Sequence, residues 1–340
     1  MRRQRLMAIL GAAGLAVAAG ATSGSTAAAP GARAAACTTV TNLEFVNDDS
    51  GSMSGTDPFK NRVEAIKLLL GKAANRGRRT MGAVEFGSTG GELFPPTLIK
   101  QSVLTGLFNI LDQRTQDDGA PGGGSGTDYD DGFAAAQSSN PNARARVFLT
   151  DGEHNGTYNN SHRNGPPTYV IGFGSSTSPQ GSQRLQTIAN ETGGKYYPQT
   201  DSSNLTKVVD SIDGSLNCTR TKTFVDNFNG PGSKRHRLRL GRSTRSLEFT
   251  ILWSNQLDSF DVASIRLVRR GRTIAVGSRR RPSRLRVRRV RGKTFVTLRV
   301  RGRALRRGKR RGRRIRFRVK GTRVNAPTQV TTNVSQSRRR

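Results

Sequence analysis

Short apolar runs alternate with helix-length segments over residues 42–217, and this alternation restricts the possible folds more than any other feature of the sequence. The strand-like runs include NLEFVN, MGAVEF, ARVFLT, TYVIGFG and KYYPQ. In the long helical segment after the first run, Val63, Ile66, Leu69 and Leu70 have the spacing of one buried helix face. The pattern predicts an α/β fold with a doubly wound, mostly parallel sheet that helices cover on both sides.

From residue 234 onward the apolar residues follow a period of two instead. Seven short runs, among them LEFTILW, TFVTLRV and RIRFRV, are typical of strands, and several alternate an apolar residue with Arg. In RRIRFRVK, Ile315, Phe317 and Val319 would point to one face of a sheet and the basic residues between them to the other. A turn near Gly292 would join two strands into a hairpin. Seven short strands in about 100 residues predict a smaller, all-β antiparallel sandwich.

The chain is therefore predicted to contain five parts: a signal peptide and low-complexity leader (1–36), the α/β domain (37–218), a linker (219–233), an Arg-rich β-sandwich domain (234–325) and a basic flexible tail (326–340). The leader has basic residues, then an apolar stretch, then small-residue Ala-x-Ala sites, as secretory signal peptides do. No later run approaches the roughly 20 apolar residues of a membrane-spanning helix. We expect a secreted protein that is extracellular or associated with the cell surface.

The two cysteines, Cys37 and Cys218, stand at the ends of the α/β domain. An oxidising compartment outside the cell favours a disulfide between them. Closing so long a loop would stabilise the fold by up to roughly 5 kcal/mol in the loop-entropy model. Two unpaired, buried thiols are the alternative.

The formal net charge of +34 belongs to the second half of the chain. About 38 of the 57 Lys and Arg residues follow residue 218, together with only four acidic residues. Like charges on neighbouring strands repel one another unless counter-ions or a polyanion offset them. The candidate anion-binding residues are Arg284, Arg286, Arg288, Arg314, Arg316 and Arg318.

An anionic cell-wall or surface polymer is the expected partner of these arginines. Nucleic acid is disfavoured, because few aromatic residues stand among the basic runs to stack on bases. The alternative is that the excess of Arg over Lys reflects genomic composition and that the arginines form a solvated face. The sequence leaves both readings open.

Three polar segments follow predicted strands of the α/β domain or lie in loops beside them: DDSGSMS, GSGTD and TDGEHNG. The carboxyl ends of parallel strands meet at one edge of a sheet, where ligands bind. Hydroxyl and carboxylate oxygens converging there suit a hard cation such as Mg²⁺. The alternate spacing of Asp48, Ser50 and Ser52 lets three side chains of one loop face the same ion, and Thr127 and Asp151 would complete its shell.

Other chemistries fit the sequence less well. A calcium-binding EF-hand loop beginning at Asp48 would need Gly in place of Met53 and an acid in place of Phe59. No Gly-x-Ser-x-Gly nucleophile motif is present, and the chain has only three histidines, so we expect no enzyme activity. Asp49 is expected to be a solvated or capping carboxylate. His154 is expected to be exposed and incidental, with a role near the metal as the alternative.

The metal-site pattern resembles that of the von Willebrand factor type A domain. The sequence contains Asp48-Asp49-Ser50-Gly51-Ser52, then a threonine in a Gly-rich loop, then Thr150-Asp151-Gly152 after an apolar strand, in matching order over residues 38–217. In that family these elements build a metal-ion-dependent adhesion site. The resemblance implies that 37–218 is such a domain, and some members are clasped by terminal cysteines.

By that resemblance, Ser50 and Ser52 would ligate Mg²⁺, or alternatively Mn²⁺, directly. Thr127 would bind directly or through water, and Asp48 and Asp151 directly or by holding waters. Mostly neutral ligands leave the charge of the ion under-neutralised, so a vacant position favours a carboxylate from a partner.

The sequence thus predicts a secreted protein that binds a protein or another carboxylate-bearing ligand through a Mg²⁺-dependent adhesion site. Its cationic C-terminal domain would attach it to anionic cell-surface polymers. Two alternatives remain. The chain could be a polyanion-binding protein whose type A domain is only a scaffold, or an accessory protein of a secreted hydrolase.

Overall fold

The structure is a computed structural model, and it describes residues 39–117, 125–152, 154–173, 178–201, 204–219, 221–241, 244–269, 272–275, 285–302, 305 and 314–337. The predicted leader and Cys37 lie outside these residues, so the predicted signal peptide and the pairing of Cys37 with Cys218 stay predictions. In the described part of the chain, no helix is both long enough and apolar enough to cross a membrane. Residues Thr38–Arg340 form one compact unit.

The first half of this unit is the predicted α/β domain. Its elements are β1 (Asn42–Asp48), α1 (Met53–Thr56), α2 (Asn61–Arg76), β2 (Thr80–Phe86), β3 (Gly90–Leu98), α3 (Leu104–Arg114), α4 (Tyr129–Ser139), β4 (Arg146–Thr150), β5 (Thr168–Phe173), α5 (Pro179–Thr192), β6 (Lys195–Thr200) and α6 (Leu205–Leu216). They build a six-stranded sheet in the order β3-β2-β1-β4-β5-β6. All neighbours are parallel except the β2–β3 pair, which confirms a mostly parallel, doubly wound sheet.

Helices cover both faces of the sheet. One buried cluster joins the sheet to side chains of α2, α3 and α6, and another joins it to side chains of α4 and α5. The predicted buried face of α2 is buried. The charged residues Arg62, Glu64, Lys67 and Lys72 of the same helix are also buried, which an amphipathic pattern does not predict.

Strand β3 was not predicted from the sequence. It contains Pro95 and Pro96, which disfavour a strand because proline cannot donate a hydrogen bond to a sheet. The structure places β3 at the edge of the sheet, antiparallel to β2 and with irregular register, and an edge position tolerates proline.

The second half is a β-sandwich. Its strands are β7 (Thr221–Phe228), β8 (Gly232–Arg239), β9 (Ser246–Leu252), β10 (Ser259–Arg269), β11 (Arg272–Ala275), β12 (Leu285–Arg291), β13 (Phe295–Gly302), β14 (Arg314–Arg323) and β15 (Thr328–Ser337). They form one sheet in the order β11-β10-β14-β8 and a second in the order β12-β13-β9-β15-β7. Every pairing is antiparallel, as predicted. The predicted hairpin near Gly292 joins β12 to β13.

The predicted linker and flexible tail are wrong, because both segments contain strands of the sandwich. Strand β7 and the first two residues of β8 lie within 219–233, and β15 lies within 326–340. Strands β7 and β15 pair with each other, and β15 also pairs with β9. Their many Thr, Asn and Ser residues resemble loop composition. They form strands because residues such as Val330 and Val334 fill the core at alternate positions.

The two halves share a core. Leu252, Val290 and Phe295 of the sandwich belong to the same buried cluster as the apolar residues of α2. Two backbone N–H groups, those of Lys293 and Thr294, donate to the buried carboxylate of Glu64 in α2. The sandwich therefore covers the side of α2 that carries Glu64, and Glu248 of the sandwich lies 3.7 Å from Lys72. Arg62 and Lys67 are instead buried against acids of the α/β domain.

Candidate metal centre

The predicted metal-site residues lie at the carboxyl ends of β1 and β4, which are neighbours in the sheet. Asp48 is the last residue of β1, and Asp151 follows Thr150, the last residue of β4. The parallel register pairs Asn47 with Leu149, so the two strands end side by side. Both carboxylates are fully buried.

A chain of short polar contacts connects four of the five predicted ligands. Asp48 Oδ1 accepts from the backbone N–H of Ser50 at 2.9 Å and from its hydroxyl at 2.6 Å. The hydroxyls of Ser50 and Ser52 are 3.1 Å apart, and Ser52 Oγ donates to Asp151 Oδ1 at 3.0 Å. The spacing in the first loop therefore brings Asp48, Ser50 and Ser52 to the same carboxylate of the second loop.

Thr127, the fifth predicted ligand, forms no hydrogen bond with the other four among the described residues, and only its loop is tied to theirs. It is buried, and its N–H donates to Asn155 Oδ1 at 2.6 Å, while Asn155 N–H donates to the Thr127 carbonyl at 2.8 Å. On the other side, Gly51 N–H donates to the Ser125 carbonyl at 3.3 Å. The Thr127 loop is thus held between the loops that carry Asp48 and Asp151.

Three further residues support the two carboxylates, directly or through a neighbouring residue, and sequence analysis assigned them no role. Thr150 Oγ1 donates to Asp48 Oδ2 at 2.6 Å, and Thr56 Oγ1 donates to Asp151 Oδ2. The hydroxyl of Tyr129 lies 3.3 Å from Thr150 Oγ1 and donates to the Gly152 carbonyl at 2.5 Å. Thr150 precedes Asp151 and could have been suspected, whereas nothing local marks Thr56 or Tyr129.

Asp49 is not the solvated residue that we expected. It is fully buried and forms an ion pair with Arg62 at 3.1 Å. It also accepts from the backbone N–H groups of Gln116 and Asp117, which follow the C-terminal end of α3, so it ties that segment to the metal-site loop. Asp57 accepts from backbone N–H groups of Asn61 and Arg62 at the start of α2 and pairs with the same guanidinium. Arg62 therefore neutralises the second layer of acids beneath the metal-site loop.

His154 is buried, and the expectation of an exposed side chain is wrong. Its Nδ1 accepts from the backbone N–H of Tyr129 at 3.0 Å, at the first turn of α4. Its ring packs against Tyr129 and Tyr158. His154 thus supports the helix that carries Tyr129.

The electrostatics of the site favour a cation. Burial and the charge of Asp151 raise the pKa of Asp48 to about 6, and the hydrogen bonds from Ser50 and Thr150 only partly offset this. Among the described residues, no basic side chain forms an ion pair with Asp48. Two buried carboxylates, linked by neutral hydroxyls, are the donor set of a hard, oxygen-loving divalent cation. The residues present therefore fit the predicted metal.

The candidate anion-binding residues do not form one surface. Arg284 lies outside the described residues. Arg286 and Arg288 are on β12, at the edge of the five-stranded sheet, whereas Arg314, Arg316 and Arg318 are on β14 in the four-stranded sheet. As predicted, Ile315, Phe317 and Val319 are buried between the β14 arginines.

No protein-family model matches the chain, and no curated protein sequence resembles it at a significant level. Solved structures with a similar fold include a von Willebrand factor type A protein from Catenulispora acidiphila, with 13% identity and a TM-score of 0.41 over 86% of this chain. Another is proximal thread matrix protein 1 from the mussel byssus, with a zinc-occupied MIDAS motif, at 17% identity and a TM-score of 0.40 over 55% of this chain. A third is the pilus adhesin SpaC from Lactobacillus rhamnosus GG, at 12% identity and a TM-score of 0.41 over 88% of this chain.

The chain spans 62%, 50% and 44% of the lengths of these three structures. At these TM-scores and identities the likenesses say nothing about activity.

Proposed function

We propose that the protein is a metal-dependent binding protein of the von Willebrand factor A type, with Asp48, Ser50, Ser52, Thr127 and Asp151 as its metal site. The observation that carries this proposal is the pair of buried carboxylates, Asp48 and Asp151, bridged by two serine hydroxyls. Mg²⁺ is the proposed ion, with Mn²⁺ as the alternative. A divalent cation would offset the burial of the Asp48 charge and its repulsion by Asp151, which together raise the pKa of Asp48.

The donor set explains why such a site would bind a partner. Ser50, Ser52 and Thr127 are neutral, so the protein supplies less negative charge than an ion bound only by carboxylates would receive. Ser52 is exposed, whereas Asp48, Ser50 and Asp151 are fully buried, so the site opens toward solvent on the Ser52 side. A carboxylate from a protein partner would bind there, because it would complete both the coordination and the charge balance.

The proposed role is binding and not catalysis. All three histidines have structural hydrogen bonds: His154 with Tyr129 N–H, His162 with Tyr158 and Glu191, and His236 with Asp226. A secreted or cell-surface location suits a protein that binds extracellular partners. Turnover of a peptide or glycan substrate by the purified protein would contradict this part of the proposal.

We further propose that the cationic β-sandwich attaches the protein to anionic surface polymers. The support for this second role is the position of the β14 arginines, which lie on the face of the sheet opposite the core.

The metal proposal can be tested with two matched serine variants. Ser52 and Ser54 are both exposed and two residues apart, but only Ser52 contacts the Ser50 hydroxyl and donates to Asp151. Ser54 Oγ donates to the Gly51 carbonyl instead. Metal at 100 times its Kd would stabilise the folded protein by about 2.7 kcal/mol. Mg²⁺ or Mn²⁺ should therefore raise the Tm of the parent and of Ser54→Ala by several degrees over EDTA, and that of Ser52→Ala much less.

Equal Tm values of the parent in metal and in EDTA would refute the metal site, and an undiminished response of Ser52→Ala would place the ion elsewhere. The open position has its own test. With Mn²⁺ bound, water-proton relaxation should be enhanced by exchangeable water on the ion, and acetate should lower the enhancement. Enhancement that acetate does not change would contradict carboxylate binding.

A further inference from the structure

The outer face of the four-stranded sheet holds a groove lined by arginines from three adjacent strands. In the strand register, Arg316 of β14 stands between Arg237 of β8 and Arg266 of β10. The next outward position of β14, Arg318, pairs with Arg235 of β8. These five residues line a groove of about 390 Å³, which we call the arginine groove.

The cationic surface continues beyond the groove. Arg314 and Lys320 extend it along β14, and Arg239 extends it along β8 opposite Arg314. All three side chains are exposed. Neighbouring strands are about 4.8 Å apart, and alternate residues of one strand are roughly 6.7 Å apart. The sheet therefore holds these charges close together on a fixed lattice.

No acidic side chain of the described residues forms an ion pair with any arginine of the groove. The acid nearest in register is Asp261 of β10, which pairs with Lys320 in the strand register. Its carboxylate binds Arg289 at 2.8 Å and Arg291 at 3.5 Å, on the other sheet. In addition, Nε of Arg318 is buried and has no hydrogen-bond partner within the described part of the chain. The groove thus combines uncompensated positive charge with an unused buried donor.

The chemistry of the groove suits a polymer with regularly spaced phosphates. A guanidinium group donates through a planar fork that matches two phosphate oxygens, and five of them line one groove. A linear polymer with a phosphate in each repeat can place successive phosphates against successive arginines of the lattice. A compact anion would neutralise only one or two of them.

Base stacking and membrane insertion are disfavoured here, because both need apolar or aromatic side chains on the surface. The aromatic residues beside the groove, His236 and Phe317, point into the sandwich. Their ring centroids lie 4.7 Å and 5.3 Å from the ring centroid of Phe224. The described side chains that face outward around the groove are basic or serine.

We propose that the arginine groove is the binding site for a linear phosphate polymer outside the cell. This inference rests on the proposed attachment to anionic polymers and adds its location and its ligand class. The groove uses Arg316 and Arg318, which the sequence suggested, together with Arg235, Arg237 and Arg266, which it did not. Arg286 and Arg288 play no part, since they belong to the other sheet.

The test compares two double variants with the same change in net charge. Arg237→Gln/Arg316→Gln removes the centre of the groove, and Arg286→Gln/Arg288→Gln removes two exposed strand arginines from the other sheet. Binding of fluorescently labelled, long-chain inorganic polyphosphate is measured in EDTA, which separates it from the metal site. We expect the groove variant to raise the Kd at least about tenfold and to lower the salt slope by about 1.4, from roughly 0.7 per lost contact. The control variant should change the Kd less than about threefold.

Similar losses in both double variants, or no loss in either, would overturn the groove as the site. No binding of polyphosphate by the parent protein would overturn the attachment to anionic polymers itself, so the two failures are distinct. Tighter binding of single-stranded DNA or phosphatidylglycerol vesicles than of polyphosphate, at equal phosphate concentration, would overturn the ligand class. If the groove variant melts well below the parent, the exposed single variant Arg266→Gln replaces it, with an expected rise in Kd of about threefold or more.

Discussion

Replacing Gly71 by alanine tests whether the sandwich packs on α2 as the structure describes. Gly71 lies in the interior of α2, and a Cβ added there would come 2.8 Å from Val290 Cγ1 and 3.1 Å from Val290 Cβ on β12. It would also lie 3.4 Å from Thr297 Cγ2 on β13. Real carbon atoms do not approach at 2.8 Å, so the sandwich would have to shift away from the helix.

Two opposing effects set the size of the change. Alanine favours a helix over glycine by about 1 kcal/mol, whereas overpacking a tight interface costs about 1–3 kcal/mol. Gly71→Ala should therefore lower the free energy of unfolding by about 0–2 kcal/mol. Gly106 in α3 is the matched control, because a Cβ added there meets nothing within 4 Å. Gly106→Ala should raise the free energy of unfolding by up to about 1 kcal/mol.

Urea unfolding of the parent, of the single variants Gly71→Ala, Gly106→Ala and Val290→Ala, and of Gly71→Ala/Val290→Ala would measure these changes. Val290→Ala removes the atom that the new methyl group meets, so the double variant should be more stable than the sum of the two single changes predicts. If Gly71→Ala stabilises the protein as much as Gly106→Ala does, Val290 does not lie against the helix and the packing between the two halves is different.

Two further predictions concern buried charges. Asp213 binds Arg76 at 2.7 and 2.8 Å and Lys72 at 2.9 Å. Asp213→Asn should therefore lower the free energy of unfolding, measured in urea, by about 3–5 kcal/mol. The control Arg289→Gln, which breaks an exposed ion pair, should lower it by at most about 1 kcal/mol. Equal effects would show that the cluster is solvated. Burial raises the pKa of Glu44 from 4.5 to about 8, so its contribution to stability is present below pH 4.5 and is lost as the pH rises toward 8. In EDTA, the free energy of unfolding of Glu44→Gln should rise relative to that of the parent by up to roughly 1.4 kcal/mol per pH unit in that window. A difference between the two free energies, measured in urea, that stays constant with pH would contradict the burial argument.

Local spacing accounts for the part of the metal site that sequence reasoning found. Asp48, Ser50 and Ser52 share one loop after one strand, so their spacing alone brings them together. Asp151 could be added because strand ends of a parallel sheet share an edge. Thr56 and Tyr129 could not be found in this way, since each reaches the site from a helix and depends on how that helix packs.

The same limit explains the errors about Asp49 and His154. Both stand beside predicted ligands in loops, where most polar residues are exposed. Asp49 is buried because Arg62, thirteen positions later, turns back to pair with it. His154 is buried because α4 places Tyr129 N–H and two aromatic rings around it. Each partner is distant in the chain, so no local pattern announces it.

The sequence by itself determined the two fold classes and the metal-site loop, because helix and strand periodicities and the spacing within a loop are local properties. Tertiary structure alone decided which surfaces meet. It buried Glu64 of α2 under the sandwich, recruited β7 and β15 into the five-stranded sheet, and separated Arg286 and Arg288 from the β14 arginines. It also joined β8 and β10 to β14, which assembles the arginine groove. Strand neighbours are chosen by the packing of the whole core, and alternation along one strand indicates its faces but not its neighbours.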